Sequence, residues 1–484
     1  TGQAITENAM ASFYGTIDYI LLNRYVFNAS VRSDGSNNFG SKEQFNATWS
    51  AGFSWNIDEE SWMKGKISDV ISSMTLRLAT GYTGGVNKSV YPVIIMRYQN
   101  TFRISDTDSY RMGNISNAPN PHLSWEKTWD IKAGLDVGFF KDRLRLQVEA
   151  YNRKGYDLVT SSRVNSAVGF ITQGYNTSEQ VNRGVEFTLG ATILRYKDFA
   201  WNFTANAAYN MNKLTKYVSP NSGIYGQYYV GYPQGMIITG KSTGMDPATG
   251  FYNYELRPDA QINEVADYRN TQNYLFYVGT SSAPWTGGFN TSVRYKGVTL
   301  SVNGNFSLKG RVLNNIVSPA SWQSVNERNM SGVDKEPVPN SKYDLYVNHL
   351  NVVRDVTYRW TPDNPVTDGY PRLIDIFGGR LYDQNGNLIA QSLPSDSRIT
   401  NCLLLENVSY LKISSLTLLY DLPGAWVKKL HMQNCSVSFT MNNLATFTNY
   451  SGLDPETPGA VYPQCRSYSV SYTHLRAHET RSNL

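Results

Sequence analysis

Nothing in this 484-residue chain is apolar for long enough to cross a membrane as a helix. A transmembrane helix needs about 18 or more apolar residues in a row, and the longest purely aliphatic cluster here is Val93-Ile94-Ile95-Met96. A chain without such a run can span a bilayer only as a closed β-barrel, because no other form satisfies its backbone in lipid. Cysteine is scarce and odd in number. Cys402, Cys435 and Cys465 stand far apart, which implies neither a disulfide framework nor a zinc site. Charge is sparse too: Asp, Glu, Lys and Arg make up 17% of the chain, against about 25% in an average globular protein. The net charge of +5 has no basic run behind it, so no nucleic-acid partner is expected. No signal peptide stands ahead of Thr1, and the N-terminus reads as cut.

Catalytic signatures are missing as well. There is no G-x-S-x-G, P-loop or dinucleotide fingerprint, so no enzyme activity and no cofactor are expected. His474 and His478 lie four apart beside Glu479, but the order is not H-E-x-x-H and no third ligand is near; His122, His349 and His431 are isolated. No metal site is expected. Asp383-Gln384-Asn385-Gly386-Asn387 has the start of a calcium loop, yet Leu388 holds the place of the required Gly and Pro394 that of the Glu. Asn385-Gly386 reads as a tight hairpin turn.

What is present suits pleated sheet. Aromatics reach 13%, with 34 Tyr and 10 Trp, beside 38 Gly and abundant Asn and Ser; helices favour Ala, Glu, Leu and Lys instead. Period-2 alternation recurs from end to end. Ile131, Ala133, Leu135, Val137 and Phe139 alternate with polar or small residues, as do Leu144, Leu146, Val148 and Ala150. Phe199, Trp201, Phe203, Ala205, Ala207 and Tyr209 do the same. The rule also fits Trp49–Asn56, Leu76–Tyr82, Val185–Thr192, Trp285–Tyr295, Val298–Lys309 and Cys435–Asn442. Tyr410–Tyr420 changes phase near Ser414-Ser415, which predicts a bulge.

A soluble sheet with one wet face would alternate in the same way. Three features favour a membrane barrel. Very short turns (Lys141-Asp142, Tyr196-Lys197-Asp198, Lys296-Gly297) alternate with long stretches near 83–125, 213–283 and 310–407, the asymmetry of periplasmic turns and external loops. Aromatics flank the short turns: Tyr19, Tyr25, Phe139, Phe140, Tyr196, Phe199, Trp201 and Tyr295. The polar face is Asn, Ser, Thr and Gly, as a wet lumen requires.

Ordered segments along nearly the whole chain resemble the C-terminal barrel of the SusC/RagA family of TonB-linked outer-membrane transporters. They include Arg24-Tyr25 through Asp34-Gly35-Ser36, Ile57-Asp58-Glu59-Glu60-Ser61-Trp62-Met63, and Asn120-Pro121-His122-Leu123-Ser124-Trp125-Glu126. Later come Asn182-Arg183-Gly184-Val185-Glu186, Gly231-Tyr232-Pro233, Asp246-Pro247, and Pro284-Trp285-Thr286-Gly287-Gly288. The most telling are Ser409-Tyr410-Leu411-Lys412-Ile413, Asn442-Asn443-Leu444 and Tyr450-Ser451-Gly452-Leu453-Asp454-Pro455-Glu456. Most read as architecture: Asp34-Gly35 and Gly287-Gly288 as turns or close approaches, Asn442-Asn443 and Asp454-Pro455 as turn formers at a strand exit.

The resemblance implies an all-β, antiparallel transmembrane barrel in the outer membrane of a Gram-negative, Bacteroidetes-like cell. Residues 1–470 would supply 12–13 of about 22 strands, with the plug domain absent. It implies import of an oligosaccharide or peptide, with a SusD-like lipoprotein, a TonB complex and outer-membrane lipid as partners. Residues 471–484 lose alternation, turn charged and are expected to be a non-native tail. Loops 213–283 and 310–407 are the places to seek recognition, and Tyr228, Tyr229, Tyr274, Tyr277, Trp322 and Tyr346 are the candidate contacts, since exposed rings stack on sugars or anchor a lid; most of the loop rings are expected instead to pack the loops against one another. The alternatives are a siderophore or cobalamin receptor, a passive porin, and a secreted multi-domain β adhesin with repeats of about 100 residues.

Overall fold

The computed structural model describes residues 9–476 apart from 41, 66, 88–94, 104–108, 118, 166, 168, 171, 218–229, 249–251, 264–269, 315–362, 368–379, 383–387, 392–396, 430, 431 and 461. In chain order its strands are β1 (Met10–Leu21), β2 (Tyr25–Ser36), β3 (Phe45–Asn56), β4 (Ile71–Gly85), β5 (Ile95–Arg103), β6 (Ser109–Asn117) and β7 (Glu126–Phe139). There follow β8 (Leu144–Arg163), β9 (Thr172–Tyr196), β10 (Phe199–Lys216), β11 (Met236–Thr239), β12 (Ser242–Met245), β13 (Tyr252–Tyr254) and β14 (Phe276–Thr280). The last are β15 (Trp285–Tyr295), β16 (Val298–Leu313), β17 (Arg380–Tyr382), β18 (Leu388–Gln391), β19 (Leu405–Asp421), β20 (Met432–Thr448) and β21 (Ser467–Arg476). No helix among the described residues is long and apolar enough to cross a membrane.

Thirteen strands form one antiparallel sheet in the order β1-β2-β3-β4-β7-β8-β9-β10-β15-β16-β19-β20-β21. Its register turns the alternation into rows. Leu21, Tyr25, Trp55, Leu76, Leu135, Val148, Phe187, Ala207, Gly287, Phe306, Leu411 and Phe447 are successive cross-strand partners. One residue along, on the other face, run Asn56, Thr75, Asp136, Gln147, Thr188, Asn206, Gly288, Asn305, Lys412 and Thr446. A one-residue slip between any two strands would mix the faces, so the pattern fixes the register.

The apolar row is the exposed one. On β7, Trp129, Ile131 and Ala133 are exposed while the intervening Asp130, Lys132 and Gly134 are more covered. Ile131 is 44% and Trp201 38% accessible. A water-soluble sheet would hide these rings and show the charges. A soluble sandwich would also pack them against a second sheet, yet among the described residues of the thirteen strands only Leu214 and Val408, both near the long-loop ends of β10 and β19, are buried apolar side chains. The others sit outside the sheet, among them Ile57 and Met63 in the β3/β4 connection at the short-turn end, and Phe39, Leu123, Trp125, Tyr274, Leu275 and Ile399 in connections at the opposite end. The apolar face is therefore a lipid face. Even its indoles fit: Trp129 Nε1–H donates to Thr80 Oγ1 and Trp201 Nε1–H to Thr291 Oγ1, both at 3.0 Å, because an N–H in lipid needs an internal acceptor.

Short connections all lie at one end of the sheet: β1/β2, β7/β8, β9/β10 and β15/β16 close within a few residues. Left-handed backbone makes this possible, as at Lys296 and Gly297 (φ 47° and 87°) in a two-residue turn whose hand matches the strand twist. The long connections, at the other end, carry hairpins of their own: β5 with β6, β11 with β14, β12 with β13 and β17 with β18. The last pair flanks Asn385-Gly386, which lies outside the described residues.

The predicted bulge is present. Against β16 the register shifts between Asn303 and Gly304, leaving Ser414 as the extra residue; against β20 it shifts between Ile413 and Ser415, where Asn443 and Leu444 stand opposite Ser414. One expectation is corrected. Asn442-Asn443 does not end a strand; both residues lie inside β20, opposite that bulge. Asn443 takes φ 56°, tolerable for Asn, and its Nδ2–H donates to the Gln464 carbonyl at 2.8 Å. At Gly35 and Gly287 close approach, not turning, is the requirement: a Cβ at Gly35 would strike the Phe45 ring, and at Gly287 the Asn206 carbonyl and the Phe306 ring. β21 pairs with β20 from Ser467 through Arg476, so strand pairing continues past the point where the alternation was expected to fail.

Candidate functional site

The polar face is a wall of interlocked amides and ion pairs. Asn290 Nδ2–H donates to Asn303 Oδ1 (2.5 Å), Asn303 to Ser415 Oγ (2.9 Å), and Asn212 to Asn182 Oδ1 (2.8 Å). On β4, β7 and β8 charges of opposite sign intermesh: Arg77 with Asp136 (2.7 Å), Arg153 with Asp130 (3.0 Å), and Lys132 with both Asp130 and Glu149 (3.8 Å each). Long polar side chains that satisfy one another line the interior without collapsing it, and they offer donors and acceptors to a passing polar solute.

Into this interior folds the β20–β21 connection. Lys412, on the polar row of β19, is almost fully buried. Its Nζ lies 2.5 Å from Glu456 Oε2, 3.5 Å from Asp454 Oδ2 and 3.0 Å from Gln464 Oε1. Asp454 Oδ1 also accepts the Glu456 N–H at 2.8 Å, and Asn305 Nδ2–H donates to Glu456 Oε1 at 2.5 Å. A second tie holds the start of this strap: Glu406 accepts from Ser451 N–H (2.9 Å), Ser451 Oγ–H (2.6 Å) and Asn314 Nδ2–H (2.8 Å). Burial pushes the Glu456 carboxyl up, but the hydrogen bonds from Lys412 and Asn305 outweigh it and hold it below the usual carboxylate range. Asp454-Pro455-Glu456 is thus a turn former, as expected, and also a charged clamp.

Two further braces order the ends of the barrel. On the long-loop side the segment around Asn120–Trp125 fastens β2/β3 to β9: Phe39 stacks on Trp125 (4.2 Å between centroids), Gly40 N–H donates to the Leu123 carbonyl (2.9 Å), and Asn176 exchanges hydrogen bonds with the Ser124 backbone (2.8 and 2.9 Å). On the short-turn side Glu60 accepts from Arg24 (3.1 Å), Tyr25 (2.7 Å) and Trp55 (3.1 Å).

The described part of the loop between β10 and β15 forms a small body. Tyr274, Leu275 and Ile399 make its core, with Ile238, Tyr254 and Leu256 packed on it, and Gly240 N–H donates to the Arg398 carbonyl at 3.1 Å. This core joins the two longest loops. Of the six aromatics singled out from sequence, Tyr274 lies in this core at 5% exposure, and Tyr277 is 43% exposed with its ring 4.8 Å from that of Tyr232. Tyr228, Tyr229, Trp322 and Tyr346 fall outside the described residues. Sequence reasoning missed the Lys412 clamp. Its signal was there, a lysine on the polar phase of a strand followed by an acidic Asp-Pro-Glu motif, but nothing in the alternation says which charges meet.

An open run of thirteen antiparallel strands with a lipid face, a polar inner wall, tight turns at one end and folded loops at the other defines an outer-membrane β-barrel. Residues 2–305 match the family described as TonB dependent receptor-like, beta-barrel, and the chain belongs to that family; its similarity to SusC and the shared fold of RagAB agree with the resemblance to the SusC/RagA kind. Its relatives include the TonB-dependent receptor SusC of Bacteroides thetaiotaomicron, 26% identical over 490 residues, covering 96% of this chain and 43% of SusC. TonB-dependent receptor P3 of Formosa agariphila is 24% identical over 93% of this chain and 42% of its own length. The chain therefore spans less than half the length of the curated relatives it matches. Among solved structures the RagAB peptide transporter shares the fold, with TM-score 0.74 and 24% identity over 96% of this chain and 48% of the other.

Proposed function

We propose that the protein imports a polar oligomer, an oligosaccharide or a peptide, across the outer membrane. The observation that carries this reading is the continuous polar wall beneath a folded cluster of long loops, in a chain of the TonB-dependent receptor-like family. A solute of several sugar rings or peptide units needs many exchangeable hydrogen bonds along its path, and the Asn, Gln, Ser and Thr rows supply them. The loop end is the capture side. There the exposed Tyr277–Tyr232 pair is the described aromatic surface, and Tyr228, Tyr229, Trp322 and Tyr346 remain candidate contacts. Tyr274 supports the loop from within. A SusD-like lipoprotein covers the loops, and a TonB complex supplies the energy. The naming of RagAB as a peptide transporter favours a peptide, that of SusC leaves room for other cargo, and both belong in the assay.

Uptake of labelled oligosaccharides and peptides by cells carrying or lacking this gene tests the proposal. The expected result is loss of uptake of one oligomer class, with its monomers unaffected, and the same loss on deleting TonB or collapsing the proton-motive force. A surface lipoprotein is expected to co-purify. Uptake that survives without TonB would make the barrel a passive pore and contradict the reading.

A further inference from the structure

Three consecutive short turns carry the same pair of residue types, an aromatic followed by lysine, and the next connection at that end brings the same types together on a helix. Phe140-Lys141 closes β7/β8, Tyr196-Lys197 closes β9/β10 and Tyr295-Lys296 closes β15/β16, while the helix Gly424–Lys429 between β19 and β20 holds Trp426 with Lys428 and Lys429. These strands are neighbours in the sheet, and adjacent turns touch. Lys296 N–H donates to the Asp198 carbonyl at 3.3 Å, and Asp421 N–H to the Gly297 carbonyl at 2.9 Å. Phe140, Tyr196, Tyr295 and Trp426 are all exposed. Two ammonium groups sit over their rings, Lys197 Nζ 5.3 Å from the Tyr196 centroid and Lys296 Nζ 5.2 Å from that of Tyr295.

Lysine is an unexpected choice for these positions. Lys141, Lys197 and Lys296 have φ of 58°, 47° and 47°, a region where Gly and Asn fit at lower cost. The backbone gains nothing from lysine there, so the advantage lies in the side chain. The carboxylates close by are mostly engaged: Asp142 with Ser73 (2.9 Å) and Arg145 (3.2 Å), Asp421 with Arg294 (3.3 Å). Asp198 stands beside Lys197 and weakens the field at that turn.

We propose that this rim is a docking surface for anionic phospholipid of the periplasmic leaflet. The headgroup phosphate sits among the turn lysines, and the aromatic rings lie at the boundary of the acyl chains. Charge complementarity and continuity with the lipid-facing rows above it select a lipid over a protein partner. The inference rests on the short turns being the periplasmic side, not on import.

The receptor, purified from outer membranes in mild detergent, is titrated with phosphatidylglycerol and, separately, phosphatidylcholine while bound lipid is counted by native mass spectrometry. Wild type is expected to prefer phosphatidylglycerol. Lys141→Asn, Lys197→Asn and Lys296→Asn keep the left-handed turns and remove the charge; each is expected to weaken phosphatidylglycerol binding by about fivefold, leaving phosphatidylcholine binding and heat-modifiability unchanged. The Lys→Arg versions are expected to bind as wild type does. Equal affinity for the two lipids in wild type, or unchanged phosphatidylglycerol binding in the triple Asn variant, overturns the proposal. So does loss of bound lipid A in that variant, because its phosphates belong to the opposite leaflet.

Discussion

Arginine in place of Val148 is expected to block barrel assembly, whereas arginine in place of its neighbour Gln147 is expected to be tolerated. Val148 lies on the apolar row between Leu135 and Phe187, midway along the outward residues Leu144, Leu146, Val148, Ala150 and Asn152. A guanidinium there must sit in hydrocarbon, at about 2–4 kcal/mol for the bilayer midplane. Gln147 lies on the opposite face between Asp136 and Thr188, where an added cation meets water and a carboxylate. The two positions are adjacent on one strand, with the same backbone pairing and the same added residue. Only the facing differs. Heat-modifiable barrel recovered from outer membranes, followed through a urea titration, reads the contrast. Equal loss for both variants, or none for either, would contradict a lipid face.

Replacing Lys412 by Met is expected to release the strap between β20 and β21. The substitution strands Asp454, nearly as buried as the lysine, together with Glu456. Removing one partner of a buried pair costs roughly 3–5 kcal/mol; the partial exposure of Glu456 places this case toward the lower end. Limited proteolysis within residues 449–466 should rise steeply while the strands stay protected. The triple variant Lys412→Met, Asp454→Asn, Glu456→Gln removes both charge signs together and is expected to recover most of the loss. Acidity gives a second handle. Glu456 titrates lower in the fold than in an unfolded chain, so its contribution is fully present above the ordinary carboxylate range and is lost as pH falls through the folded value. The strap should therefore stay closed at neutral and mildly acidic pH and open only in stronger acid. Opening on a rise in pH would contradict the assignment.

Strand identity, facing and the bulge at Ser414 were legible in the sequence because each is a local, period-2 property. Ile131 or Trp201 announces its face by its neighbours alone. Asn442-Asn443 was misread because Asn serves turns and bulges alike, and only the partner strand, with Ser414 opposite, tells them apart. The Lys412 clamp and the Tyr274–Leu275–Ile399 core were not legible, because each joins segments far apart in sequence through connections that carry no period. Tyr274 and Tyr277 illustrate the limit. They are three residues apart in one loop and equally suited to stacking, yet one is interior and the other outside.

Spin labels placed singly at each position from Trp129 to Phe139 of β7, in the reconstituted barrel, test the central claim most directly. Oxygen, which partitions into lipid, and a water-soluble nickel chelate report on the two environments. The account predicts strict alternation: Trp129, Ile131, Ala133, Leu135 and Val137 accessible to oxygen, and Asp130, Lys132, Gly134 and Asp136 to nickel. Odd positions shielded from both reagents would mean that they pack against protein, and the lipid-facing barrel would be wrong.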